Sequence, residues 1–233
     1  MYKLRIKFAK RKEAKYISHL DLMRLIQRAF RRANIPVEYT KGFNPHPKLS
    51  LAIASPLGMD SDGEYMDVEL TEKIEVKDFI KDMNMVLPYG ISMIKARYVT
   101  DKKSLVSMIE WSSYIMEIEF ENEIEPEDIK SLVSDILSRD EIIITKEKKK
   151  RNKIVKKSSN IREYIKEIEL LLCEENKIAL KLLLKTGSRG NLKPEALIPV
   201  FEGIINREIK KENVKVKRME LYVQRDGNIV API

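Results

Sequence analysis

The sequence predicts an α+β protein of two tandem ferredoxin-like units, each with the element order βαββαβ and a mainly antiparallel sheet. Segments that alternate apolar and polar residues, typical of half-buried strands, are interspersed with segments whose apolar residues recur at helical spacing. Glycine, proline, asparagine and aspartate between these segments supply turns. Because this order of elements occurs twice, we expect domains at 1–102 and 103–233.

The first predicted unit begins at the N-terminus with a strand, Tyr2 to Phe8, in which apolar and basic residues alternate. Ser18 precedes Asp21 by three residues, which indicates a helix cap, and apolar residues at helical spacing continue to Ala33. Further strands are expected at 37–39, 49–54, 64–70 and 91–99, with a helix at 76–87.

The second predicted unit repeats this order of elements. It begins with an alternating strand at 111–120, and Pro126 then opens a helix. A short strand at 141–145 leads into a basic loop. The remaining elements are a hairpin of strands 164–172 and 177–184, a helix from Pro194 and a closing strand at 214–223.

Composition limits the class of protein. A chain of 233 residues can bury a sizeable core. Its one cysteine, Cys173, cannot form an intrachain disulfide or a zinc cluster, which favours a reducing cytoplasm. No apolar run approaches the roughly 20 residues that cross a bilayer, and no secretion signal is visible. We therefore expect a cytoplasmic protein without a membrane segment.

The net charge of +8 is unevenly distributed. Residues 146–157 (KEKKKRNKIVKK) contain eight lysines or arginines and one glutamate. Clustered cations favour polyanions, because each neutralised phosphate releases counterions, and RNA is the expected polyanion. The alternative is a solvated loop whose lysines only maintain solubility. The candidate RNA contacts in this run are Lys149, Lys150 and Arg151.

The first predicted helix is rich in arginine. Arg24, Arg28 and Arg31 share a face opposite the apolar stripe, and Arg32 follows directly. Guanidinium groups bind phosphates through paired hydrogen bonds, so a nucleic-acid backbone is the simplest partner. The alternative is an exposed amphipathic helix whose arginines pair loosely with Asp21 or Glu38.

A preshaped loop follows this helix, with the sequence YTKGFNPHPK at 39–48. Two prolines restrict its backbone and one glycine permits a turn. Aromatic residues beside lysines are suited to stacking a base while holding its phosphate. The alternative for Phe43 is a place in the core beneath the loop. The candidate contacts are Tyr39, Lys41, Phe43, Asn44, His46 and Lys48.

A second loop, KTGSRGNLKP at 185–194, lies between a predicted strand and a predicted helix. Glycines and cations before a helix suit anion binding, with Lys185, Ser188 and Arg189 as candidates. The loop lacks both the Walker and the dinucleotide-binding spacing, so neither nucleotide hydrolysis nor dinucleotide binding is supported. An ordinary strand-to-helix turn is the alternative.

The two histidines, His19 and His46, are the candidates for catalysis. They are too few for a convincing zinc site, so we expect neither a metal nor a cofactor. His46 or His19 could act as a general acid or base on an RNA 2′-hydroxyl. This chemistry would make the protein a metal-independent endoribonuclease.

The stretch from Tyr16 to Leu70, YISHLDLMRLIQRAFRRANIPVEYTKGFNPHPKLSLAIASPLGMDSDGEYMDVEL, resembles the radical SAM-linked protein family, and 187–194 resembles it more weakly. Members of that family occur beside or fused to radical S-adenosylmethionine proteins, which implies an accessory role. The family supplies no catalytic residues to transfer. This chain has one cysteine and no CxxxCxxC motif, so any radical enzyme must be a separate chain.

These observations together predict an accessory protein that binds RNA, such as tRNA or rRNA, for modification or processing by a separate radical SAM enzyme. Two alternatives remain open. One is the histidine endoribonuclease, and the other is a protein adaptor whose arginine helix binds an acidic surface of the radical enzyme without RNA.

Overall fold

The structure is a computed structural model that describes residues 2–53, 55–101, 103–150 and 153–233. The elements in chain order are β1 (Tyr2–Lys10), α1 (His19–Arg32), β2 (Leu49–Leu51), β3 (Asp60–Leu70), α2 (Val76–Val86), β4 (Ile91–Tyr98), α3 (Leu105–Met108), β5 (Ile109–Glu119), α4 (Pro126–Ser138), β6 (Ile143–Lys150), β7 (Lys153–Asn160), β8 (Ile165–Glu174), β9 (Lys177–Lys185), α5 (Ile198–Ile205), β10 (Lys215–Arg225) and β11 (Asn228–Val230). In these described ranges, no helix is both long and apolar enough to span a membrane.

The chain forms two compact units. The first comprises Met1–Trp111 and Lys217–Ile233, and the second comprises Ser112–Val216. The predicted boundary at residue 102 assigned the C-terminal residues to the second half, whereas they pack in the first unit. The reason is that Leu221 and Val223 of β10 join Tyr65 of β3 in a small apolar cluster.

The sheet of the first unit has β1 at its centre. β1 pairs antiparallel with both β3 and β4, β2 pairs antiparallel with β3, and β10 pairs parallel with β3. α1 and α2 cover one face of this sheet. Their buried side chains pack on alternate residues of the strands, and the main contributors to this core are Leu4, Ile6, Phe8, Leu22, Ile26, Phe30, Met66, Val68, Phe79 and Met83.

The first turn of α1 is capped as its sequence predicts. The Ser18 hydroxyl accepts a hydrogen bond from the backbone N–H of Asp21 at 3.2 Å and donates one to the Asp21 carboxylate at 2.7 Å. These contacts satisfy a backbone donor that the helix itself leaves unpaired. The cap therefore fixes where α1 begins.

The opposite face of β1 carries a buried cation. Arg5 is 0% exposed, and its Nε and Nη2 donate to the two carboxylate oxygens of Asp67 at 2.8 and 3.0 Å. Its Nη1 donates to Asp101 at 2.8 Å and to the carbonyl of Pro232 at 3.4 Å. This guanidinium thus joins β1, β3 and the C-terminal segment in one hydrogen-bonded group.

A second buried ion pair anchors β10 in the first unit. Arg218 donates to the Glu64 carboxylate at 2.9 Å and to the carbonyl of Ile53 at 3.1 Å. Nearby, a side chain on Gly63 would place its Cβ 2.5 Å from the Cα of Glu220. Only glycine lets the two strands approach this closely.

The second unit contains the strand order β5-β9-β8, with β8 and β9 joined as an antiparallel hairpin. α4 and α5 contribute buried apolar residues, including Ile129, Leu132 and Phe201. A separate two-stranded ribbon of β6 and β7 lies between α4 and β8 in the chain. The ribbon therefore interrupts the strand and helix order predicted for this unit.

The α+β class and the mainly antiparallel strands are confirmed. The strand predicted at 37–39 is reduced to isolated bridges that Val37 and Tyr39 form. The prediction of a loop at 146–157 is wrong, because strands β6 and β7 occupy described residues of this range and pair with Lys146 opposite Lys157. Strand pairing uses backbone groups that every residue here carries, so lysine content alone does not prevent it.

Candidate nucleic-acid interface

The arginines of α1 lie on its exposed face, as predicted. Buried Leu22, Ile26, Ala29 and Phe30 face the sheet. The exposed Arg24, Arg28 and Arg31 occupy the other side of the helix and span about 10 Å along its axis. Because the apolar stripe fixes the rotation of α1, it also fixes the direction of this arginine face, which we define as Arg24, Arg28 and Arg31.

Arg24 and Arg32, two of the predicted arginines of α1, have partners within the protein. Arg24 lies 3.4 Å from Asp21, in a pair whose side chains are both more than half exposed. Such exposed pairs contribute little to stability, so Asp21 holds the Arg24 guanidinium only weakly. Arg32 instead donates to the backbone carbonyl of Val86 at the end of α2. Arg32 therefore has a role in fastening α1 to α2.

The loop at 39–48 is closed by backbone contacts. The Thr40 N–H donates to the His46 carbonyl at 2.8 Å, and the His46 N–H donates back to the Thr40 hydroxyl at 3.0 Å. At the base of the loop, Tyr39 and Pro47 form an isolated antiparallel β-bridge. The Lys48 N–H donates to the Glu38 carbonyl. Residues 41–45 consequently project as the tip of a narrow, hairpin-like loop.

Phe43 stands at this tip and is fully exposed, at 106% of its reference area. The alternative that Phe43 plugs the core is therefore wrong, since the cross-loop bonds hold the tip away from the apolar interior. Lys41, Asn44 and His46 are exposed beside it. The loop tip, defined as residues 41–46, thus presents an aromatic ring next to a cation and hydrogen-bonding groups.

Lys48 and Tyr39 lie at the base of the loop rather than at its tip. The Lys48 ammonium is 3.3 Å from Glu69 and 3.7 Å from Glu38. Glu38, which sequence considerations offered as a partner for the arginines, is thus occupied by Lys48. Tyr39 is 36% exposed. Both residues support the loop, and neither adds a free charge to its tip.

The two histidines are both exposed, His19 in the first turn of α1 and His46 in the loop tip. Within the part of the chain that the structure describes, no group of three or more His, Cys, Asp or Glu side chains is arranged to hold a metal ion. The structure brings neither histidine into a buried pocket of titratable groups.

The second predicted anion site lies in the other unit. The Leu192 N–H donates to the Lys185 carbonyl at 3.0 Å, and buried Thr186 donates its hydroxyl to Asn191 at 3.1 Å. These bonds close a compact loop after β9. Ser188 and Arg189 are exposed on it, and Lys185 is partly buried.

Two of the three candidates in the lysine-rich run lie on the ribbon of β6 and β7. Lys149 and Lys150 are the last residues of β6, and Arg151 lies outside the described residues. The ribbon and the loop after β9 belong to the second unit, whereas the arginine face and the loop tip belong to the first.

Cys173 lies on β8 and is partly buried, with its thiol 3.5 Å from the carbonyl of Ile124. Burial raises the pKa of this thiol, and the carboxylates of Glu125 and Asp128 raise it further. A raised pKa keeps the thiol protonated near neutral pH, which opposes a role as a nucleophile.

Sequence considerations missed three exposed apolar side chains near the start of α1. Tyr16, Leu20 and Leu57 are each about two-thirds exposed, at 66%, 65% and 65%. Leu20 could have been noticed, because it lies on the opposite side of the helix from the stripe through Leu22 and Ile26. The exposure of Tyr16 and Leu57 depends on loop packing that no local pattern reveals.

Comparison with solved structures finds similar folds at low sequence identity. A Cbf5-Nop10-Gar1 complex matches with a TM-score of 0.50 and 9% identity, covering 94% of this chain and 48% of that chain. An archaeal box H/ACA sRNP Nop10-Cbf5 complex matches with a TM-score of 0.48 and 9% identity, covering 92% and 46%. This chain thus spans about half the length of the solved chains that it matches, and the likeness at a TM-score of 0.50 shows the fold alone.

Comparison with curated proteins gives no match. A family model described as "Uncharacterized protein conserved in bacteria (DUF2344)" matches residues 3–194, which is well over half of the chain. The match includes α1, the loop tip and the ribbon. The chain therefore belongs to the DUF2344 family.

Proposed function

We propose that this protein binds RNA as an accessory factor for a separate radical SAM enzyme in tRNA or rRNA modification or processing. The proposal is based mainly on the exposure of the loop tip. Phe43 is fully exposed there, on a closed loop and beside Lys41, Asn44 and His46. Leaving a phenylalanine in water forgoes about 1.5–3 kcal/mol of burial free energy, so a partner that covers the ring is expected.

RNA suits this loop because nucleobases offer flat faces to an aromatic ring, and their phosphates offer charge to a nearby cation. Base stacking on an aromatic side chain contributes about 1–3 kcal/mol per base. The cross-loop bonds between Thr40 and His46 hold the tip before any ligand arrives. A preshaped loop loses less conformational entropy on binding than a flexible one.

The arginine face supplies the second part of the proposal. Three guanidinium groups lie along one exposed side of α1, and the pair that Arg24 forms with Asp21 is weak. Guanidinium groups bind phosphates through paired, charge-assisted hydrogen bonds. The lysine-rich ribbon and Lys185, Ser188 and Arg189 of the second unit would add further attraction for an RNA backbone.

Two finer assignments belong to the proposal. The radical SAM partner is inferred from the family resemblance of residues 16–70, and a separate enzyme is proposed because these 233 residues contain one cysteine and no CxxxCxxC motif for an iron-sulfur cluster. The ferredoxin-like assignment is supported in the first unit by the element order β1, α1, β2, β3, α2, β4 and by the sheet order β4-β1-β3-β2.

Replacing Phe43 with alanine tests the observation that carries the proposal. We expect the affinity for small RNA to fall about tenfold, because one stacked base is lost. Thermal stability should not change, since the ring makes no buried contact. Fluorescence anisotropy with labelled tRNA, together with a thermal melt of each variant, measures both quantities.

Phe43→Trp is the matched control, because it keeps an aromatic face at the same position and should preserve the affinity. If Phe43→Ala and the unmodified protein bind RNA with equal affinity, the loop tip is not part of the RNA-binding surface. A Phe43→Ala variant that binds RNA normally but no longer binds a purified radical SAM enzyme would favour the adaptor alternative.

A further inference from the structure

We infer that Tyr16, together with Leu20 and Leu57, forms a second base-stacking platform, at the N-terminal end of the arginine face, and that it selects single-stranded over duplex RNA. This inference rests on the proposed RNA-binding function and adds a site that the sequence did not predict. The platform is defined by these three side chains, each about two-thirds exposed.

A turn that is hydrogen-bonded to the neighbouring residue lies beside the ring of Tyr16. The Gly58 N–H donates to the Lys15 carbonyl at 3.1 Å, which ties the turn at Pro56–Gly58 to the residue before Tyr16. A Cβ on Gly58 would lie 3.7 Å from the Tyr16 ring carbon Cε1, so this turn lies beside the ring. One side of the tyrosine therefore lies near this turn, and most of the side chain is exposed to solvent.

The surroundings of the ring combine apolar and cationic groups. The Lys15 ammonium lies 5.4 Å from the Tyr16 ring centroid, which is within range of a cation–π contact, and 3.4 Å from Asp60. Leu57 precedes Gly58 in the facing turn. Leu20 is exposed on the first turn of α1, four residues after Tyr16.

Leu20 places one member of the platform in line with the arginine face along the helix. Leu20, Arg24, Arg28 and Arg31 follow at spacings of four, four and three residues, which places all four on one side of α1. A ligand that covers this side must carry negative charge over the arginines and a flat apolar group at the tyrosine end. A single nucleic-acid strand with one unstacked base combines these two properties.

Duplex RNA fits the platform poorly. Bases within an A-form helix are stacked on their neighbours and paired, so their faces are not available to a protein side chain. The phosphates of a duplex could still reach the arginines. The platform therefore adds affinity for single strands and none for duplexes, and this difference separates its contribution from that of charge.

The test compares Tyr16→Ala with Tyr89→Ala. Tyr89 is a matched control, because it is another exposed tyrosine of the first unit with a lysine over its ring, Lys12 at 4.6 Å, and it lies outside α1. The probes are a labelled single-stranded RNA of about 15 nucleotides, which is within the usual footprint of such sites, and the same sequence as a duplex.

We expect Tyr16→Ala to weaken binding of the single strand about tenfold and to leave duplex binding unchanged. Tyr16→Phe should restore the single-strand affinity, and Tyr89→Ala should match the unmodified protein. With 2-aminopurine in the probe, Tyr16→Ala should also reduce the fluorescence change that stacking produces. Circular dichroism of each variant verifies that it is folded.

Unchanged single-strand affinity in Tyr16→Ala, or an equal loss for single strand and duplex, would overturn the platform. These results differ from a failure of RNA binding as a whole, in which the unmodified protein binds neither probe. If the arginine face is needed for binding while Tyr16 is not, the proposed function stands and the platform alone is rejected.

Discussion

Replacing Arg5 with alanine is expected to lower the free energy of unfolding by about 3–5 kcal/mol, the usual cost of removing one partner from a buried ion pair. Arg5 is 0% exposed and donates to Asp67, Asp101 and the Pro232 carbonyl. Without the guanidinium, the Asp67 carboxylate stays buried and loses the cation that stabilises its charge. Urea denaturation followed by circular dichroism measures the change.

Arg97 provides the control for this prediction. It lies directly opposite Arg5 on the neighbouring strand β4 and is exposed. Arg97→Ala should change the free energy of unfolding by no more than about 0.5 kcal/mol. A loss of less than about 1 kcal/mol in Arg5→Ala would show that the buried guanidinium does not hold β1, β3 and the C-terminal segment together.

Replacing all three residues of the arginine face, Arg24, Arg28 and Arg31, with glutamine is expected to weaken RNA binding by about 100-fold at physiological salt. Each lost phosphate contact reduces the slope of log affinity against log salt by about 0.7 for a single strand, so the slope should shrink by about 2. Stability should hardly change, because all three side chains are exposed. Anisotropy titrations at several salt concentrations measure both quantities.

The control for the arginine face is on α2 and the segment before it. Lys73, Lys77 and Lys81 are exposed in the same unit, and Asp78 and Asp82 lie among them. Their replacement by glutamine removes the same charge. We expect only a small loss of RNA affinity, because the aspartates already neutralise part of the positive charge there. If the two triple variants lose affinity equally, net charge rather than the arginine face determines binding.

The local features of the fold could be predicted from the sequence. The Ser18 cap and the stripe through Leu22, Ile26 and Phe30 depend on residues within a few positions of one another, and the structure contains both. The direction of the arginine face follows from that stripe. The sequence was therefore sufficient to predict this part of the candidate site.

Features that depend on distant residues could not be predicted. The alternation in β1 indicated a half-buried strand with its basic residues toward water, but Arg5 is buried because its partners stand 62 and 96 positions away. Phe43 was equally compatible with a core position and an exposed one. The bonds between Thr40 and His46, which decide its exposure, involve side-chain and backbone geometry that spacing does not specify.

The central claim is RNA binding, and the most direct measurement of it is the affinity of the unmodified, nuclease-treated protein for labelled small cellular RNA across a salt series in EDTA. Each sample is also run on a denaturing gel. The account predicts binding that weakens steeply with salt and leaves the RNA intact. Absence of binding at low salt would contradict it and favour the adaptor, whereas cleavage that requires His46 or His19 would favour the endoribonuclease.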